Sequence, residues 1–181
     1  MNVLRNWFRS LSSARRIPVV RPQRAKQRSR RLELECLEDR LVLSTITWTN
    51  RGQDSDNFFA VFGLNAGAAR AVVDAAISSW TNVISNFNQP GGGNNVNVNI
   101  SMSGGGNGGV TSGIQYNNGW PVAANIALGR GSDGHGGGYF IDPTPYDSSE
   151  FEGTIVNPYS GLAQPGSPAV GNIDLYTIAL H

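Results

Sequence analysis

The side chains able to do chemistry are few, and two histidines stand out among them. His181 ends the segment "NIDLYTIALH", whose apolar residues recur at helical spacing. His135 lies in the glycine-rich segment "GRGSDGHGGGYFID", between Asp133 and Asp142. Imidazole is the commonest metal ligand in proteins, and oxygen ligands suit Ca²⁺ better than Zn²⁺. Both histidines also have an ordinary interpretation, as a solvated helix end and a solvated turn.

Other catalytic chemistries find less support. The single cysteine, Cys36, excludes an intramolecular disulfide framework and a cysteine-based zinc cluster. No G-x-S-x-G segment provides a nucleophilic serine. Paired carboxylates for glycoside hydrolysis stay open, because acidic residues are common and their separation in space is unknown. The acidic segment from Asp147 to Glu152 is interpreted as a solvated loop.

The charges divide the chain into two regions. Ten of the fourteen lysines and arginines lie in residues 1–31, which contain no acid and form, with residues 32–44, a predicted disordered targeting segment. From Thr45 onward three arginines face nine acids, a net charge of about −6. An acidic body repels phosphate backbones, so the folded part is not expected to bind nucleic acid. No stretch of about 18 apolar residues predicts a membrane span.

The hydrophobic pattern predicts one α+β domain over residues 45–181. Alternation predicts strands at 45–48, 95–102 and 124–128, and a stripe of apolar residues predicts a long helix over 66–87 with Trp80 in the core. Residues 51–65, 104–113 and 132–153 are predicted to be loops because they are polar or rich in glycine. Asp174 is the expected N-cap of a final helix that begins at about Leu175.

The segment "LECLEDRLVLS" before this domain resembles the LEPR-xLL type of N-terminal domain of exported bacterial surface proteins. Two positions depart from that pattern, since Asp39 replaces a proline and Val42 replaces a leucine. The resemblance implies bacterial export and an extracellular or cell-surface location; a brief amphipathic helix is the alternative. The matching positions are Leu37, Glu38, Arg40, Leu43 and Ser44.

Residues 45–181 resemble the N-terminal subdomain of the matrixin group of metzincin zinc metallopeptidases. The resemblance rests on "ITWTN" as first strand, "AVVDAAISSWTNV" as long helix, "VNVNISM" as second strand and "DLYTIALH" as the opening of the active-site helix. It implies a twisted mixed β-sheet with one long helix packed on it and the start of the active-site helix at the C-terminus.

The resemblance also implies zinc-dependent hydrolysis of peptide or protein substrates. His181 falls on the first histidine of the H-E-x-x-H motif, so it is the expected first zinc ligand, and the general-base glutamate is expected just after it. The chain is therefore expected to be an incomplete, inactive fragment. Asp133, His135 and Asp142 fall where relatives carry a structural calcium or zinc loop. The alternative function is a noncatalytic, Gly/Asn-rich exported surface or adhesion module.

Overall fold

The computed structural model describes residues 44–153, 155–157 and 160–181. The basic arm and four of the five targeting positions, Leu37, Glu38, Arg40 and Leu43, lie outside these residues. The strands and helices in chain order are β1 (Thr45–Trp48), α1 (Phe58–Phe62), α2 (Ala66–Val83), β2 (Asn95–Gly104), β3 (Gly109–Asn117), β4 (Trp120–Gly129), β5 (Tyr139–Phe140), β6 (Ile155–Asn157), β7 (Ser160–Gly161), β8 (Ile173–Asp174) and α3 (Leu175–Leu180).

The main sheet has mixed strand directions, which confirms the α+β prediction. Its strand order is β1-β2-β4-β3, with β1, β2 and β4 parallel and β3 antiparallel to β4. The alternation in β2 is the one that the sequence predicts, since Val98, Ile100 and Met102 are buried while Asn97 and Asn99 are exposed. One face of the sheet is therefore packed into the core and the other is open to solvent.

Helix α2 packs its small and β-branched residues into the core. Its buried residues are Ala66, Ala69, Val72, Val73 and Ala76. The helix ends at Val83, earlier than the predicted stripe, and the prediction that Trp80 belongs to the core is wrong. Trp80 is 42% exposed because its ring lies beside the end of the short helix α3, which leaves part of it open.

The segment predicted to be a polar loop, residues 51–65, contains helix α1 and a fully buried aromatic ring. Phe58 is inaccessible to solvent and packs against Trp48, with ring centroids 5.3 Å apart. The carboxylate of Asp56 holds this turn by accepting the amides of Phe58 and Gly52, and it pairs with Arg70 at 2.8 Å. A five-residue helix is too short to show a period, so the sequence pattern missed it.

The prediction that residues 104–113 carry no packed element is also wrong. Strand β3 begins at Gly109 and pairs with β4 along its length, although every one of its residues is exposed. An antiparallel edge strand is held by backbone hydrogen bonds, so it forms without a buried side-chain face. The glycine-rich segment 104–113 therefore contains the start of an exposed edge strand as well as the turn before it.

The predicted loop over residues 132–153 contributes to the core as well. Tyr139 and Phe140 are buried and form β5, which pairs in parallel with β8 directly before α3. Helical residues Phe58–Val83 have the length and mean hydropathy, 1.3, of a membrane span. This stretch includes the core helix α2, whose buried face packs on the sheet, so the described part of the chain has no clear membrane span.

Candidate functional site

The start of α3 is fixed by its predicted N-cap. The carboxylate of Asp174 accepts the amides of Tyr176 and Thr177, both at 3.0 Å, and the hydroxyl of Thr177 at 2.7 Å. These bonds satisfy amides that a helix leaves exposed in its first turn. Leu175 is fully buried beneath that turn. The prediction of an Asp174-capped helix is confirmed.

Two side chains of α2 hold the rest of α3. The hydroxyls of Ser79 and Tyr176 lie 2.7 Å apart, and the indole Nε1 of Trp80 donates to the carbonyl oxygen of Leu180 at 2.9 Å. The ring of Tyr176 also meets Tyr146 edge-on at 6.2 Å between centroids. Because a six-residue helix is not stable alone, these contacts determine where His181 lies.

His181 directly follows α3 and is exposed. Its Nδ1 lies 2.9 Å from the carbonyl oxygen of Thr177, one helical turn earlier. A neutral imidazole that donates its Nδ1 proton to a carbonyl keeps a lone pair on Nε2. Histidines that bind metals characteristically have this second contact, which sets the tautomer and ring orientation. The geometry of His181 therefore fits an Nε2 ligand.

A cavity of about 340 Å³ lies next to His181, between the sheet and helices α2 and α3. Its wall is mostly apolar and includes Ile46, Val73, Ile77, Val98, Ile126 and Ile178. His181 and the first residues of the edge strand, Gly109 to Thr111, also contribute to it. One imidazole and one exposed strand edge thus share a single concave, apolar site, the kind of place where proteins bind ligands.

The glycine-rich loop places its candidate ligands in two separate turns. Oδ1 of Asp133 accepts the amides of His135 at 2.7 Å and Gly137 at 2.8 Å, and these hydrogen bonds keep the pKa of Asp133 below its ordinary value. Oδ1 of the buried Asp142 accepts the amide of Thr144 at 2.7 Å.

No three His, Cys, Asp or Glu side chains gather into a possible metal site within the described residues. The calcium or zinc loop built from Asp133, His135 and Asp142 therefore stays a prediction. The remaining targeting position, Ser44, is buried and donates its hydroxyl to the carbonyls of Ile84 and Thr81, so in the fold it joins β1 to the end of α2.

Sequence reasoning missed two of the groups that form this site. The apolar stripe predicts Trp80 in the core, although an indole N–H also needs a polar partner. The contact of Thr177 with His181 was not predicted either, although their four-residue spacing is a signal that could have found it, since residues i and i+4 lie on one helix face. The edge strand β3 had no such signal.

No family model matches the chain, and no curated protein or solved structure is significantly similar to it.

Proposed function

We propose that residues 45–181 are the N-terminal part of an exported bacterial zinc endopeptidase domain, with His181 as its first zinc ligand. The observation that carries the proposal is the juxtaposition at the cavity: His181, whose Nε2 has no hydrogen-bond partner among the described residues, shares its wall with the start of edge strand β3. A hydrolytic peptidase needs both a metal ligand and a means of aligning an extended substrate, and we assign these two roles to His181 and β3.

The edge strand supports a peptide as the substrate. Within the described residues β3 pairs only with β4, so its other edge offers backbone N–H and C=O groups. An extended peptide can add to such an edge as a further strand, and backbone hydrogen bonds then contribute affinity while pockets select side chains. A substrate aligned on β3 at Gly109 to Thr111 would run past the apolar cavity and His181.

Of the histidines in the described residues only His181 lines the cavity, so the proposed zinc site needs further ligands from outside residues 44–181. In the proposed site a glutamate follows His181 directly. A second histidine lies four residues after His181, on the same helix face. A bound zinc ion would act as a Lewis acid and lower the pKa of a coordinated water. The roles of this chain are to orient the His181 ring through Thr177 and to position the peptide through β3.

Peptidase activity of the protein expressed from its complete gene tests the proposal. We expect hydrolysis of a quenched fluorescent casein that 1,10-phenanthroline abolishes and added zinc restores. His181→Ala should reduce the rate to background, whereas the control variant Asn82→Ala, outside both candidate metal sites, should keep it. A correctly folded gene product without chelator-sensitive hydrolysis would contradict the proposal and favour the noncatalytic surface module.

A further inference from the structure

The solvent face of the main sheet has an unusual composition. Its four strands contain no lysine, arginine, aspartate or glutamate. In β1, β2 and the middle of β4, the exposed residues that alternate with the core positions are amides and hydroxyls instead. We refer to the following seven as the amide face: Thr45, Thr47, Thr49, Asn95, Asn97, Asn99 and Asn125. Charged side chains normally keep exposed surfaces from associating, so an uncharged sheet face is a candidate binding surface.

Side-chain hydrogen bonds order the amide face across three neighbouring strands. Asn95 accepts the hydroxyl of Thr47 at 2.9 Å and donates to Oδ1 of Asn97 at 3.0 Å. Asn99 accepts the hydroxyl of Thr49 and donates to Oδ1 of Asn125 at 3.2 Å. These bonds hold the side chains in fixed positions, so binding would cost little further rotamer entropy.

The same network leaves hydrogen-bond donors available. Within the described residues the Nδ2 groups of Asn97 and Asn125 have no partner, although the oxygens of both residues are occupied. Both side chains are exposed. The glycine at position 113 makes room for one of these donors, because a Cβ there would lie 2.6 Å from Nδ2 of Asn125.

Two exposed aromatic residues lie at one end of the main sheet. Tyr116 and Trp120 are exposed and lie at the tip of the β3–β4 hairpin, which turns at Asn118 and Gly119. The strand register places Tyr116 opposite Pro121. The side-chain amide of Gln89 donates hydrogen bonds to the carbonyl oxygens of both Pro121 and Asn95. The hairpin tip and the first asparagine of the amide face are thus at the same end of the sheet.

We propose that the amide face binds a neutral polysaccharide. Sugar hydroxyls both donate and accept hydrogen bonds, as primary amides and hydroxyls do, and an aromatic ring can cover the apolar face of a sugar ring. The lack of charge argues against nucleic acid and anionic lipid, whose binding depends on lysine and arginine. The inference uses a different face from the cavity at His181, so it holds whether or not the peptidase proposal does.

The test measures binding of the 181-residue chain to insoluble cellulose and chitin, two neutral polysaccharides. Salt at about 1 M, where the Debye length is about 3 Å, suppresses attraction through the basic residues of the N-terminal segment. We expect the chain to sediment with at least one of them. The double variant Asn97→Ala with Asn125→Ala should bind at least about tenfold more weakly, since two hydrogen-bond donors are lost.

Controls separate binding from folding and from self-association. Asn82→Ala changes an exposed asparagine of α2, away from the sheet, and should leave the affinity unchanged. Tyr116→Ala tests the hairpin end independently of the amides and should also weaken binding. The proposal is overturned if wild type binds neither polysaccharide or if the double variant binds like wild type. It is also overturned if wild type forms a dimer that does not bind polysaccharide and loss of this dimer is the only effect of the double variant.

Discussion

The indole Nε1 of Trp80 donates a hydrogen bond to the carbonyl oxygen of Leu180 at 2.9 Å, joining the last turn of α2 to the end of α3. The bond spans 100 residues of sequence and meets one of the last carbonyls of α3, which have no partner inside the helix. His181 follows that carbonyl directly. The position of the candidate zinc ligand therefore depends on a side chain of the core helix.

Trp80→Phe should loosen the end of α3 without unfolding the domain. Phenylalanine keeps an aromatic ring but has no N–H donor, so the unfolding free energy should fall by about 1 kcal/mol. Hydrogen exchange of the α3 amides should become faster. Trp120→Phe, at the hairpin, is the matched control and should leave these amides unchanged. Unaltered exchange in Trp80→Phe would show that the bond does not hold α3.

Asp56 should give the domain an acid-sensitive stability. Its burial would raise the pKa, but hydrogen bonds from Arg70 and from the amides of Phe58 and Gly52 outweigh this and lower it below the ordinary 3.8. The contribution of the carboxylate is thus complete above pH 3.8 and is lost as the pH falls through the lower folded value. Denaturant unfolding between pH 7 and pH 2 measures it.

Asp56→Asn should lower the unfolding free energy at neutral pH by about 3 kcal/mol, because Arg70 loses its buried partner. The variant should also lose less stability than wild type between pH 4 and pH 2. The exposed pair of Arg51 and Asp74 gives the control, since Asp74→Asn should cost less than about 1 kcal/mol. Parallel acid profiles for wild type and Asp56→Asn would refute this role.

Tyr139→Phe should stabilise the protein by about 1 kcal/mol. The hydroxyl of Tyr139 is buried and has no hydrogen-bond partner in the described part of the chain, so removing it ends a desolvation cost. Burial also raises the pKa of Tyr139 to about 12. Wild type should therefore lose stability as the pH rises from 10 to 12, and the variant should lose less. A clearly destabilised variant would mean that the hydroxyl is bonded after all.

Gly129→Ala should destabilise the sheet by about 3 kcal/mol. A Cβ at this position would overlap the carbonyl oxygen of Gly106, and the backbone there can only move by breaking the bridge between Gly106 and Gly131. Gly108→Ala is the control, since a Cβ there would meet no atom within 4 Å. Thermal denaturation distinguishes them, and equal midpoints for the two variants would contradict this close approach.

Much of the fold follows from periodicity, because its strongest elements bury one clear face. Strand β2 alternates strictly and α2 presents one apolar stripe, and both were predicted from sequence. The failures have a common physical origin. Helix α1 is too short for a period, β3 has no buried face, and Trp80 was judged by hydrophobicity alone although its N–H bonds a distant carbonyl.

The candidate site was only partly predictable for a related reason. The cap at Asp174 and the approach of Thr177 to His181 are local, so residue spacing reports them. The meeting of His181 with Gly109 to Thr111 across one cavity joins segments about 70 residues apart in sequence. No periodic signal in a single sequence carries a contact of that kind. The amide face was equally unpredictable, because its residues form one surface only when β1, β2 and β4 lie side by side in the sheet.

The zinc content of the protein expressed from its complete gene tests the central claim most directly. Elemental analysis of the purified wild type should find one zinc per chain that dialysis against buffer does not remove. His181→Gln should lose this zinc, while Asn82→Gln, an exposed substitution of α2 outside both candidate metal sites, should retain it. A wild type that binds no zinc, or a folded His181→Gln variant that still holds one zinc per chain, would contradict the assignment of His181 as the first ligand.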